Sequence, residues 1–359
     1  MSYSVLSFVL FIEYFTLKKV KLMQSISIRR FYMNIAFFDA KPYDIPAFER
    51  QGKAHGINFK FFDTRLNSDT VRLAKDFDGV CAFVNDEIGK EVIDRLYEMG
   101  VYILALRCSG FNNVDIDAAR GKLRVLRVPA YSPYAVAEHA MALLLTSVRR
   151  IHKAYIRSKD FNFSLSGLTG FDLYGKTVGV IGTGRIGRVF IDICRGFGMT
   201  VIAYDKYPAF ELERNGVRYR SLDELLKESD IISLHCPLTD ETYHIMNEEN
   251  IEKCKQGVII INTSRGALVD AEALLLAIKS RRVGAACLDV YEEESELFFK
   301  DNSGHIMEDD VLARLISMPN VIVTSHQAFL TDEALSNIAE TTVQNIVDIH
   351  KNGSCANEI

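Results

Sequence analysis

Past residue 33 the chain alternates short apolar runs with longer stretches of helical period. Residues 35–38, 59–62, 79–83 and 102–106 are rich in β-branched and aromatic side chains and bounded by polar turns, which predicts four strands. Between them, residues 90–99 put Val92, Ile93 and Leu96 on one face, the spacing of an amphipathic helix. A long helix is predicted over 132–149. Ser132 can cap its first turn, and Pro133 takes the first helical position, whose N–H would be unpaired anyway. The polar stretch 161–169 reads as a loop, and from Lys176 to about Val323 a second strand–helix series follows. A last helix over 332–350 can be capped by Thr331, and the tail 351–359 reads as a short surface ending. Strands alternating with helices imply βαβ units and parallel sheets. Two α/β domains are expected: residues 34–130, completed by 327–359, and residues 131–326.

The second series opens on a segment with chemistry in it. Lys-Thr-Val-Gly-Val-Ile at 176–181 has a buried-strand pattern and runs directly into Gly-Thr-Gly-Arg-Ile-Gly at 182–187. A helical pattern with Val189, Phe190 and Ile193 follows, and a further strand over 199–204 ends at Asp205. Strand, glycines, helix, strand and acid in that order mark a dinucleotide site. Gly182 permits the tight turn, Gly184 lets a pyrophosphate approach the backbone, and Gly187 allows close helix–strand packing. The helix N-terminus then offers free N–H groups and partial positive charge to the phosphates. Asp205 can accept both ribose hydroxyls and would repel a 2′-phosphate, favouring NAD over NADP, with Lys206 beside it pulling the other way.

Composition narrows the class. With 359 residues, 48% of them apolar, and only 7 prolines and 22 glycines, collagen-like and disordered chains are excluded. A net charge of −5 speaks against a dedicated nucleic-acid binder. That charge is uneven. Residues 1–33 hold five basic residues and one acid, whereas the remainder, with 37 basic and 46 acidic groups, carries −9. The apolar run from Val5 to Ile12 falls short of the roughly 20 residues of a membrane span, and the lysines follow it where a secretory signal would precede it. Residues 1–33 therefore read as a non-core, upstream-initiated or non-native extension, with a transit peptide as the lesser alternative. The seven cysteines are odd in number and lack C-x-x-C spacing, which suits a reducing cytoplasm. The eight histidines form no H-E-x-x-H, so no metal is expected.

Three later strands end in polar chemistry. The strand over 257–262 delivers Arg265, that over 283–288 ends at Asp289 and leads into Glu292, Glu293 and Glu294, and that over 321–323 leads to His326. Singly, an arginine after a strand is a capping residue, an acidic run a solvated face, and a strand-end histidine structural. In doubly wound sheets, however, ligands sit outside the carboxyl ends of strands, and these three follow a nucleotide motif. Arg265, one acid of 292–294 and His326 are thereby candidates to converge on a nicotinamide.

From Met33 onward the chain resembles the D-2-hydroxyacid dehydrogenase family, and within it the fermentative D-lactate dehydrogenases. The motifs are Arg-Cys-Ser-Gly-Phe-Asn-Asn-Val-Asp at 107–115, Val-Pro-Ala-Tyr-Ser-Pro at 128–133, the glycine loop, His-Cys-Pro-Leu-Thr at 235–239, Asn-Thr-Ser-Arg-Gly at 262–266, Asp-Val-Tyr-Glu-Glu-Glu at 289–294 and Ser-His-Gln-Ala-Phe at 325–329. The resemblance implies a Rossmann-type NAD domain and a flavodoxin-like substrate domain, both doubly wound, with an active-site cleft between them. It implies His326 as general acid and base, Glu294 as the acid that favours its imidazolium, and Arg265 as the group that polarises the substrate carbonyl and holds its carboxylate. Ser109 and Gly110 would bind the carboxylate through their backbone, Tyr131 through its hydroxyl, and Phe329 would wall the pocket beside the substrate methyl. Cofactor contacts are implied for Arg185, Ile186, Cys236, Pro237, Thr242, Thr263, Ser264, Arg265 and Asp289, besides Gly182, Gly184, Gly187 and Asp205. The expected activity is reversible, NADH-dependent reduction of pyruvate to D-lactate by a homodimer or homotetramer. The alternatives are a family member for a larger 2-keto acid and, in another class, an NAD-sensing co-repressor scaffold.

Overall fold

The computed structural model describes residues 32–294, 297–299 and 301–359. The expectation for residues 1–33 thus lies, up to residue 31, outside the described residues. The chain divides into two compact units, one running to Pro129 and taking in Leu335–Ile359, the other Ala130–Ala334.

The first unit carries five parallel strands, β1 (Met33–Phe37), β2 (Ile57–Phe61), β3 (Gly79–Ala82), β4 (Ile103–Leu106) and β5 (Arg124–Leu126), in the order β2-β1-β3-β4-β5. That is the flavodoxin-like order. Every residue of β3 and β4 is buried, as in a sheet covered by helices on both faces. The Lys90–Glu98 helix buries Val92, Ile93 and Leu96, the face its spacing predicts. The tail does more than end at the surface. Ile359 N donates to Val125 O (2.9 Å), Arg127 N to Asn357 O (3.1 Å), and the Arg124 guanidinium pairs with Glu358. An edge strand leaves a row of unpaired N–H and C=O groups, and the tail satisfies those of β5.

The second unit holds β6 (Thr177–Ile181), β7 (Thr200–Tyr204), β8 (Arg218–Tyr219), β9 (Ile231–Leu234), β10 (Val258–Asn262), β11 (Val283–Leu288) and β12 (Val321–Val323), all parallel, in the order β12-β11-β10-β9-β6-β7-β8. The order reverses between β6 and β9, the switch point where doubly wound sheets bind nucleotides. The Pro133–Arg149 helix begins as its sequence predicts, with Ser132 Oγ accepting from Ala135 N (3.2 Å). The final helix, Asp332–Asn352, is likewise capped by Thr331, whose hydroxyl accepts from Ala334 N. The chain leaves the second unit at Ala334, not at 326. The reason is local: the amides of Gln327 and Ala328 are bound to Asp289, which holds the segment after His326 to its own sheet. Among the described residues no helix is long and apolar enough to cross a membrane, and no His, Cys, Asp and Glu group could hold a metal.

Candidate active site

The glycine loop follows β6 and is pressed against the chain leaving β9. Gly182 has φ +95°, and a Cβ there would lie 2.5 Å from Cys236 N. A Cβ at Gly187 would lie 2.1 Å from Gly182 O, so the helix can approach the turn only without a side chain. Gly184 differs. It caps the Arg185–Gly196 helix and has no atom within 4 Å of where its Cβ would stand. This leaves room for a phosphate at a 12-residue helix N-terminus, over Arg185 and Ile186. Asp205 is oriented on this loop: its Oδ2 accepts from Thr183 N (2.6 Å) and Oγ1 (2.9 Å), its Oδ1 from Tyr207 N (2.8 Å). Lys206 turns to Glu241, with Nζ 2.6 Å and 2.7 Å from its two carboxylate oxygens. The cation that clouded the choice of cofactor is thus already paired.

The neighbouring loops are built to receive a polar ligand. Thr263 is buried, and its hydroxyl has no hydrogen-bond partner. Ser264 Oγ donates to Cys236 O (2.7 Å), which ties the segment after β10 to that after β9, and Thr242 Oγ1 donates to Pro237 O (2.7 Å) within the latter. Burial pushes the Cys236 thiol up to about 11, so it is a small neutral surface and not a nucleophile. The open space at Gly184, the orphaned Thr263 hydroxyl and the fixed Asp205 carboxylate together fit a dinucleotide.

Strands β10, β11 and β12 are adjacent, and their carboxyl ends supply the candidate catalytic groups. The Asn262 side chain is fully buried. Its Nδ2 donates to Arg265 O (2.8 Å) and its Oδ1 accepts from Ser264 N (3.1 Å), folding the turn that presents Arg265. The Arg265 guanidinium donates to Ser264 O (2.7 Å), and no carboxylate pairs with it among the described residues. His326 sits in the left-handed region, φ +53°, with its N–H donating to Asp289 O (2.7 Å). Its Nδ1 is 2.8 Å from Glu294 Oε1. A carboxylate oxygen accepts from a ring N–H, so Nδ1 is the donor in this pair and Nε2 lies on the opposite side of the ring.

The three glutamates are separated by geometry. Glu294 faces His326 and also accepts from Tyr291 N (3.0 Å), Glu292 is held by His244 at 2.6 Å, and Glu293 is exposed. Asp289, expected to meet the cofactor, is fully buried and engaged within the protein. It accepts from Thr324 Oγ1 (2.5 Å), Gln327 N (2.9 Å) and Ala328 N (2.8 Å), with His139 Nε2 at 3.3 Å. Burial alone would raise its carboxyl, but these bonds outweigh it and hold the acid below the ordinary range. Its work is to clamp the turn that carries His326. Sequence reasoning missed His139, Thr324 and His244, since none stands in a pattern apart from core or loop, and gave no role to Asn262 within its motif. Phe329 is buried, with the Tyr131 ring edge-on at 6.3 Å. Ser109 and Gly110 lie in the first unit after β4, where Arg127 donates to Ser109 O (3.4 Å).

The family model described as D-isomer specific 2-hydroxyacid dehydrogenase, NAD binding domain, matches residues 141–328. The chain belongs to this family. Among curated relatives of this dehydrogenase, the D-lactate dehydrogenase of Escherichia coli K12 is 49% identical over 328 residues, covering 91% of this chain and 100% of that one. The apo-structure of D-lactate dehydrogenase from Escherichia coli superposes with a TM-score of 0.84 at 47% identity, over 91% of this chain and 100% of that one. The pyruvate reductase of Chlamydomonas reinhardtii gives 0.85 at 44%, over 88% and 96%. An NAD-complexed D-isomer specific 2-hydroxyacid dehydrogenase from Lactobacillus delbrueckii ssp. bulgaricus gives 0.78 at 33%, over 91% and 100%. The protein is accordingly an NAD-dependent 2-hydroxyacid dehydrogenase of two doubly wound α/β domains.

Proposed function

We propose that the enzyme reduces pyruvate reversibly to D-lactate. The observation that carries this is the His326–Glu294 pair beside the Asp289 clamp, with the Arg265 guanidinium, which meets no carboxylate among the described residues, in the loop after the adjoining strand. The names of its relatives, D-lactate dehydrogenase and pyruvate reductase, support the same substrate. Bound NADH supplies the hydride that C2 of the keto acid accepts. His326, its Nδ1–H anchored on Glu294, gives the Nε2 proton to the carbonyl oxygen, so that ketone becomes alcohol and the ring is left neutral. In the reverse direction the neutral Nε2 takes the hydroxyl proton. Arg265 stabilises the charge that develops on the carbonyl oxygen and holds the carboxylate with its planar fork. Ser109, Gly110 and Tyr131 complete the proposed carboxylate contacts. Phe329 limits the space beside the methyl, favouring pyruvate over longer 2-keto acids by about 1–3 kcal/mol per methylene.

The test is NADH oxidation with a panel of 2-keto acids of increasing side-chain length. The expected order has pyruvate highest in kcat/KM. A kcat/KM that rises with length overturns the choice of substrate, and no turnover at millimolar pyruvate overturns the function.

We also propose a homo-oligomer, a dimer or tetramer, located in the cytoplasm. The Ile151–Lys159 helix buries none of its residues, and Ile151, Tyr155, Ile156, Phe161, Phe163 and Leu165 are all exposed along it and the loop that follows. Such an apolar patch marks an interaction surface. Sedimentation is expected to give an oligomer that the double substitution Phe161→Asp, Phe163→Asp converts to monomers. A wild-type monomer at micromolar concentration would sink the idea.

A further inference from the structure

Glu292 and Glu294 stand two residues apart in one loop, and each meets a histidine from elsewhere in the second unit. The partner of Glu294 is His326. That of Glu292 is His244, whose Nε2 donates to Glu292 Oε1 at 2.6 Å. Both side chains of this second pair are about four-fifths buried, with 22% of each exposed.

His244 is itself rigidly held. Its backbone is left-handed, φ +49°, a costly conformation that persists only where the surroundings fix it. His244 N donates to Ala267 O (2.9 Å) and Met246 N to Leu268 O (3.0 Å), lashing this segment to the turn just after Arg265. Its ring stacks on Tyr243 at 3.9 Å, and Nδ1 lies 3.9 Å from Asp270 Oδ2. From the other side, Gly266 abuts the same loop: a Cβ there would lie 2.0 Å from Tyr291 O and 2.5 Å from Glu292 N. Glu292 is therefore pinned by its side chain to His244, and by its backbone to the turn that presents Arg265.

We propose that His244 is a positioning residue that, by holding Glu292, sets the loop so that Glu294 faces the catalytic histidine. The inference rests on the proposed acid–base role of His326. Nothing in the run of three glutamates distinguishes them chemically, and a loop free to slip by two residues would present Glu292 to His326 instead. With His244 in place, that carboxylate is already engaged, and the Arg265 and Glu294 segments share one anchor.

The test is a double-mutant cycle in the full chain, read as kcat for pyruvate at saturating NADH. His244→Ala is expected to lower kcat by about 10- to 100-fold, as misplacement of a catalytic group does. KM for NADH should stay within about twofold, and His244→Gln, whose amide N–H can still reach Glu292, should recover most of the loss. In a Glu294→Gln background, His244→Ala should cost nothing further, because residues acting through one another are not additive. An equal loss in both backgrounds, or one confined to KM for NADH, overturns the proposal. Should His244→Ala not fold, Glu292→Ala completes the same cycle. Wild-type turnover of pyruvate reports separately on the function on which the inference rests.

Discussion

Substituting Asn for His326 is expected to lower kcat for pyruvate reduction by about 10³- to 10⁴-fold while leaving NADH affinity within a few-fold of wild type. Asn is the informative replacement because residue 326 is left-handed, φ +53°, which Asn tolerates better than Ala does. The N–H bond to Asp289 O and the clamp of Asp289 on Gln327 and Ala328 can then persist. The side-chain amide can also still donate to Glu294. What is lost is the group that carries a transferable proton on the far side of the ring. Hydride transfer to C2 would then leave an alkoxide with no donor. Single-turnover absorbance measurements give the chemical step, and NADH fluorescence titration gives binding. A variant keeping a tenth of wild-type kcat would show that another group or water protonates the carbonyl oxygen. A loss of NADH binding in parallel would place His326 in the cofactor site. The Glu294→Gln variant should show a smaller loss than His326→Asn, since Gln can still accept from Nδ1 but brings no charge to stabilise the imidazolium.

Much of this site is written in local patterns. Strand, glycines, helix, strand and Asp205 occur within one contiguous stretch, so the nucleotide half of the site needs no tertiary information to be found. The runs behind β10 and β11 are apolar because those strands are almost wholly buried, the shorter β12 lies at the sheet edge, and Arg265, Asp289 and His326 follow the three strands. What sequence could not carry is competition between equivalent groups. Three consecutive glutamates differ only in which histidine reaches them, and those histidines lie 48 and 32 residues away in the chain. Asp289 reads as a strand-end acid, and nothing local shows that it also accepts from Thr324, Gln327 and Ala328, with His139 beside it. Strands β5 and β8, with three and two residues, are too short to show a period. The tail of polar residues carries no sign of the backbone edge it satisfies. The histidine–glutamate pairings and the tail's contacts with β5 are long-range hydrogen-bond assignments, and sequence spacing determines none of them.

Replacing Arg265 by Ala is expected to cost about 10²- to 10⁴-fold in kcat/KM for pyruvate, the larger share of it in KM if the carboxylate contact dominates. In the proposed reaction the guanidinium would act at two points, the substrate carboxylate and the oxygen on which charge develops, and a planar fork can serve both at once. Its only internal bond is to Ser264 O, so its remaining donors are uncommitted among the described residues. Truncation should leave the fold intact, because the turn is shaped by Asn262 and Gly266, neither of which uses the Arg265 side chain. Arg265→Lys separates charge from geometry. An ammonium keeps the positive charge but offers no bidentate fork, so it should recover only part of the loss, with kcat restored less than KM. Full recovery by Lys would mean that a point charge suffices and that the carboxylate is oriented elsewhere. A Lys variant as impaired as Ala would mean that orientation, through the two-pronged contact, is the whole contribution. The ratio of the two variants therefore measures how Arg265 divides its work between binding the keto acid and stabilising its reduction.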